Sequence, residues 1–209
     1  MHSNKFSVCV FCGSRIGSNA SFANAAREFG IEIARMGWRL VYGAGDVGLM
    51  GEVATATQCE GGSTFGVIPR QLVELEVAKH DLDSLVITDN MHVRKSVMFA
   101  NSDAFIVMPG GPGTHDEFFE ILTWRQLGFH DKPIGLLNVA NYWNGLLGSL
   151  GNAVDCGFAD PELLESFEVL NTVAESILWL HDSFESGPQS ARDGSAGSLG
   201  RLCPPSDTR

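Results

Sequence analysis

The stretch Ala104-Phe105-Ile106-Val107-Met108-Pro109-Gly110-Gly111-Pro112-Gly113-Thr114-His115-Asp116-Glu117 decides the fold. Its first residues are an unbroken apolar run with no polar alternation, the pattern of a strand buried on both faces. A loop dense in glycine follows, and a helical pattern starts at its far end. Strand, glycine loop and helix in that order are half of a β-α-β unit, so the strand belongs to a parallel sheet.

The same alternation recurs outward in both directions. Strands are expected over 6–12, 39–42, 64–68, 84–88, 104–108, 134–137 and, weakly, 167–169. Helices are expected over 49–59, 91–101, 116–127, 141–155 and 173–180. An earlier helix is marked by Phe22, Ala25, Ala26, Phe29 and Ile33 at i, i+3, i+4 spacing behind a polar Ser18-Asn19 start. The 209 residues fit one α/β domain, placed at 1–184. Residues 185–209 hold five Ser, four Gly and three Pro, which reads as a flexible tail. No internal repeat is visible. The span 70–83 lacks a clean period, and a loop that long in a compact domain is often functional.

Composition excludes several classes. Lys and Arg number 14 against 25 Asp and Glu, a net charge of −11, which argues against a nucleic-acid or anionic-membrane surface. Apolar residues at 44% supply a core, so disorder does not describe the chain as a whole. The apolar run at 6–12 is too short for a signal sequence, and no stretch approaches the ~18 apolar residues of a membrane span, so a cytoplasmic protein is expected. The five cysteines are an odd, scattered set rather than a disulfide framework. Cys9 and Cys12 form C-x-x-C, but on a strand these positions face opposite sides, against joint metal binding. The histidines lack ligand spacing, and no metal is expected.

Seven of the 24 glycines fall in two loops, each after a strand and before a helix. Helix starts at the carboxyl edge of a parallel sheet present free N–H groups and partial positive charge. The first loop, Tyr42-Gly43-Ala44-Gly45-Asp46-Val47-Gly48-Leu49-Met50-Gly51, satisfies G-x-G-x-x-G. The acidic residue expected at the end of the next strand is missing from Ile68-Pro69-Arg70, so a full dinucleotide site is disfavoured. A tight turn and a phosphate or ribose cradle both remain open. In the second loop, 108–117, the glycines allow backbone N–H groups close to an anion, and Thr114 is placed to cap the helix and donate to a phosphate. Asp116 and Glu117 are read in the first helical turn, as partners of the helix dipole or of a ribose. Upstream, Met91-His92-Val93-Arg94-Lys95 opens a helix with a basic pair in a chain of only four lysines. Arg94 offers a planar fork and Lys95 a compact charge, both suited to phosphate.

On these residues the chain resembles the LOG family, the cytokinin-activating phosphoribohydrolases often labelled lysine decarboxylases. The family signature P-G-G-x-G-T-x-x-E stands at Pro109 to Glu117, and M-H-x-R-K at Met91 to Lys95. Val10-Phe11-Cys12-Gly13-Ser14, Gly48-Leu49-Met50-Gly51, Thr123-Trp124-Arg125-Gln126-Leu127-Gly128 and the segment from Lys132 to Asn138 are similar too. The resemblance spans about 6–180. It implies a Rossmann-like, doubly wound sheet of about seven strands, a homodimer without cofactor, and hydrolysis of the N-glycosidic bond of nucleoside 5′-monophosphates. It implies Arg94 and Glu117 as the catalytic pair, with Gly110, Gly111, Gly113 and Thr114 on the phosphate. Lys95, Glu76 and Thr123 would line the same site, together with Pro112, His115 and Asp116 inside the signature. The chain departs from the family at Ala44, where relatives usually carry glycine, and at Pro112 and His115-Asp116, positions that bear on base preference.

Two other functions compete. A decarboxylase would need pyridoxal phosphate on a lysine, and among the four lysines only Lys95 lies near the inferred site. A non-catalytic nucleotide or cofactor carrier would use the glycines but not the Arg94 and Glu117 pair. An AMP nucleosidase with little cytokinin preference is the nearest enzymatic alternative. Aromatic residues Phe118, Phe119 and Trp124 share one helix and are read as core or subunit packing.

Overall fold

The first strand, β1 (Ser7–Phe11), is buried along its whole length, as its continuous apolar sequence requires. The computed structural model describes residues 5–73 and 78–186. Around β1 run β2 (Arg39–Tyr42), β3 (Ser63–Pro69), β4 (Ser84–Thr88), β5 (Ala104–Val107), β6 (Ile134–Leu137) and β7 (Glu168–Leu170). They form one sheet in the order β4-β3-β2-β1-β5-β6-β7, with every pairing parallel. All seven expected strands are present, with ends within about two residues of the sequence reading.

The helices are α1 (Ala20–Arg35), α2 (Gly48–Cys59), α3 (Met91–Ala100), α4 (Pro112–Gln126), α5 (Asn144–Asp155) and α6 (Val173–Ser186). Asn19 caps α1, its side chain accepting from the Ser21 N–H. Strand alternation divides the core. Val8, Val10 and Cys12 join Phe29 of α1, Val53 of α2 and Ile177 of α6 in one cluster. Cys9 and Phe11 join Met98 of α3, Phe118 of α4 and Leu150 of α5 in the other. The two thiols of C-x-x-C therefore lie on opposite faces of the sheet, as strand geometry demands. Phe118 is core, Phe119 is exposed, and Trp124 packs edge-on against Phe99.

Three boundaries differ from expectation. Helix α5 begins at Asn144 rather than Asn141, because Ala140 and Asn141 stand at positive φ in a separate 3-10 turn over Val139–Asn141. Helix α4 begins at Pro112 rather than Asp116, because proline with its preset φ occupies the first turn. Helix α6 continues through Glu185 and Ser186, so those two residues belong to the helix rather than to a tail; the rest of the expected tail lies outside the described residues. Among the described residues, no helix is long and apolar enough to cross a membrane, and no group of three or more His, Cys, Asp or Glu could hold a metal ion.

Candidate active site

The sheet order reverses direction between β1 and β5, since β2 lies on one side of β1 and β5 on the other. Loops leaving adjacent strands diverge there, which opens a crevice at the carboxyl edge. The β1–α1 and β5–α4 loops are joined across it by the Gly13 N–H, which donates to the Pro109 carbonyl at 3.0 Å. The Tyr142 hydroxyl donates to the Gly110 carbonyl at 2.5 Å. His115 Nδ1 lies 3.0 Å from the Gly111 carbonyl; a carbonyl only accepts, so the contact requires the Nδ1–H tautomer.

These bonds aim the loop. A peptide is planar and trans, so its N–H points opposite its C=O. Holding the Pro109 and Gly110 carbonyls turns the Gly110 and Gly111 N–H groups the other way. Neither they nor the Gly113 N–H find an acceptor among the described residues. A side chain added at Gly111 or Gly113 would meet nothing within 4 Å. Glycine here keeps space open beside unpaired donors, which is what an anion needs.

The first glycine loop is built differently. A Cβ at Gly43 would lie 2.0 Å from Nη2 of Arg94, at Gly48 2.2 Å from the Ser14 backbone, and at Gly51 2.5 Å from the Asp46 carbonyl oxygen. These glycines make room for protein. Gly43 also presents its carbonyl to Arg94 Nη2 at 2.8 Å, while Val67 accepts from Arg94 Nε at 3.1 Å. These contacts support the reading of this loop as a tight turn made for close packing, one that seats Arg94 and the β1–α1 loop. Ala44 stands at φ 59, fully buried. It occupies the left-handed region rather than tightening the turn, and that conformation favours glycine.

The charges of Arg94 and Glu117 both act on β1 and the residue that follows it. Burial pushes the Cys9 and Cys12 thiols well above their ordinary pKa; the Glu117 charge raises both further and the Arg94 charge opposes it. Thr114 is buried at the third position of α4, against Gly110. It does not cap the helix, since Gly111 is the N-cap and no side chain bonds there. Because α4 starts early, Asp116 and Glu117 fall in its second turn rather than its first.

Lys95 is not a free phosphate ligand. Its ammonium lies 3.0 Å from Asp116 Oδ2 and 3.1 Å from Glu120 Oε1. Burial opposes that charge, but the two carboxylates outweigh it and hold the pKa above the ordinary lysine value. The pair ties α3 to α4 and leaves Asp116 facing Lys95. Thr123 is exposed and nine residues beyond Thr114, about 14 Å of helix rise, so the fold does not bring it to the loop. Glu76 lies outside the described residues.

The crevice holds a pocket of 470 Å³. Arg15, Phe22 and Tyr142 line it, three residues missed as site components from sequence. For Arg15 a signal existed, because Gly13-Ser14-Arg15 directly follows a strand at the carboxyl edge. Tyr142 reaches Gly110 from 32 positions away, and no local pattern announces that contact.

A family model described as "Possible lysine decarboxylase" matches residues 50–178. The chain is 46% identical over 154 residues to cytokinin riboside 5'-monophosphate phosphoribohydrolase LOG1 of Arabidopsis thaliana, covering 74% of this chain and 72% of that protein. The chain belongs to the LOG family. Over 183 residues it is 42% identical to LOG3 of the same plant, covering 87% and 85% of the two chains. The LOG-family fold also matches a molybdenum cofactor carrier protein of Chlamydomonas reinhardtii, with a TM-score of 0.67 at 23% identity over 87% of this chain and 99% of that one. At that identity the likeness is of fold alone.

The lysines do not fit the decarboxylase description of this LOG chain. A Schiff base needs a neutral amine, whereas Lys95 is held charged by Asp116 and Glu120 and Lys79 by Asp46 and Asp81. Lys5 and Lys132 precede β1 and β6, at the opposite edge of the sheet.

Proposed function

We propose that this LOG-family protein hydrolyses the N-glycosidic bond of nucleoside 5′-monophosphates, releasing the base and D-ribose 5-phosphate, with cytokinin riboside monophosphates as preferred substrates. Relatives that are 42–46% identical carry that name. The observation that carries the reading is the crevice between β1 and β5, where unpaired amides of Gly110, Gly111 and Gly113 lie at the start of α4 and Glu117 follows four residues after Gly113. Four residues rise about 6 Å along a helix, the scale of the path from phosphorus through C5′ and C4′ to C1′.

In this reading Gly110, Gly111, Gly113 and Thr114 hold the phosphate. Breaking the C1′–N bond places positive charge on the ribose, which the Glu117 carboxylate stabilises as water adds to C1′. The electron pair of the broken bond leaves with the base, which takes up a proton. Arg94, always cationic and anchored by two carbonyls, offsets the charge on the departing base. Lys95 acts through Asp116 and Glu120, fixing α4 against α3 rather than touching phosphate. Exposed Met91 and Val93 of α3 and Phe119 of α4 favour a homodimer through these helices; sedimentation as a monomer at micromolar concentration opposes it.

The test is chromatographic assay of free base from AMP, isopentenyladenosine monophosphate and the two matching nucleosides. Turnover of the monophosphates only, fastest for the isopentenyl form, is expected. Faster AMP turnover makes the protein an AMP nucleosidase, and no turnover returns it to the carriers. Glu117→Gln is expected to lower kcat ~10²-fold or more, and near-normal turnover removes Glu117 from the reaction.

A further inference from the structure

The phosphate of a nucleotide approaching this protein meets a net charge of −11. Repulsion of that kind is screened beyond ~8 Å at physiological salt, so the attraction has to be local. The two cations expected from sequence are committed elsewhere. Lys95 is neutralised by Asp116 and Glu120, and Arg94 is buried with its guanidinium on the Gly43 and Val67 carbonyls. Unpaired amides at the start of α4 supply dipoles but no full charge.

Arg15 fills that gap. It is the charged residue among those lining the 470 Å³ pocket, whose other walls include Gly110 and Gly111. Its side chain is exposed and has no hydrogen-bond or ion-pair partner among the described residues. Its backbone, by contrast, is firmly placed. A Cβ at Gly48 would lie 2.3 Å from the Arg15 nitrogen, and the preceding Gly13 is bonded on both sides, to Pro109 and to Leu49. A fixed root with an uncommitted guanidinium, across a crevice from two free amides, is the arrangement of a phosphate clamp. Arginine's planar fork meets two phosphate oxygens at once, while the amides take the third.

We infer that Arg15 is the charged phosphate ligand of the substrate, closing on the 5′-phosphate from the β1–α1 loop opposite Gly110 and Gly111. The inference rests on the nucleoside monophosphate reading above, and it moves phosphate selectivity from Lys95 to a residue outside both signature motifs.

The test compares wild type, Arg15→Ala and Arg15→Lys in two assays: steady-state hydrolysis of isopentenyladenosine monophosphate, and calorimetric binding of inorganic phosphate. Arg15→Ala is expected to raise KM and the phosphate Kd by roughly 10- to 100-fold, with kcat moving far less. Arg15→Lys recovers part of the loss, because it keeps the charge and loses the fork. Melting temperatures stay together, since the side chain has no partner to lose among the described residues. A KM and a phosphate Kd within twofold of wild type overturn the inference, as does wild type that binds no phosphate. Phosphate binding that depends on Arg15 without hydrolysis by any variant sinks the enzymatic reading and leaves the clamp standing.

Discussion

The two glycine-rich loops leave strands of the same sheet at the same edge, and each opens a helix, yet most of their glycines face opposite things. In the loop after β2, Gly43, Gly48 and Gly51 are each within 2.5 Å of where protein atoms would meet an added side chain. In the loop after β5, Gly111 and Gly113 border open space. The first loop is filled by its own protein, namely the Arg94 guanidinium and the Ser14-Arg15 backbone. The second is left open at Gly111 and Gly113, beside amides with no acceptor among the described residues, while its Gly110 packs against Thr114 and Gly13. Glycine content alone does not distinguish a packing device from a ligand cradle; what the missing side chain would have touched does.

Substitutions at the two loops separate these roles. The largest effect is expected at Gly48, where φ is +64 and a Cβ would strike Ser14 backbone at 2.2 Å. Gly48→Ala combines a left-handed strain with a backbone clash, and a loss of roughly 3 kcal/mol or more follows. Thermal unfolding reads it, and a melting temperature equal to wild type refutes the filled-loop account. An intermediate and opposite pattern is expected at Gly113, inside α4 with open space around it. Gly113→Ala stabilises by about 0.5–1 kcal/mol, as alanine does in a helix, while KM for the nucleoside monophosphate rises. A variant that is stabilised and binds substrate normally places the phosphate elsewhere. The smallest effect belongs to Ala44→Gly. Relief of the φ 59 strain, about 1 kcal/mol, nearly cancels loss of a buried methyl worth about 0.8 kcal/mol. A denaturant midpoint shifted by more than about 1 kcal/mol in either direction shows that one of these terms dominates.

The Lys95 cluster adds a pH test of the same division. Its pKa is raised in the folded protein, so its contribution to stability is fully present below the ordinary lysine value near 10.4 and is lost as pH rises through the higher folded value. Because Asp116 is largely exposed, the contribution is modest. Lys95→Met is expected to flatten the alkaline end of the stability curve and to leave phosphate binding nearly unchanged. A large loss of phosphate affinity returns Lys95 to the site.

Much of this was legible in the chain. The strands followed from apolar runs buried on both faces, and the opposite placement of Cys9 and Cys12 from a period of two. The glycine loop before Glu117 and the basic pair at Arg94-Lys95 marked the right edge of the sheet. What the chain hid was how charges and carbonyls are shared out. Lys95 reads as a phosphate ligand until Asp116 and Glu120, 21 and 25 positions on, are folded against it. Thr114 reads as a cap until Pro112 starts the helix two residues earlier.

The sequence by itself determined the strand and helix alternation, the parallel sheet and the edge at which a ligand is held, because burial periodicity and glycine loops are local properties. Tertiary structure alone decided which cations are neutralised, which glycines are filled, and that Arg15 and Tyr142 meet the Gly110 loop. Electrostatic and steric partnership act through space between residues far apart in the chain, and no local pattern encodes them.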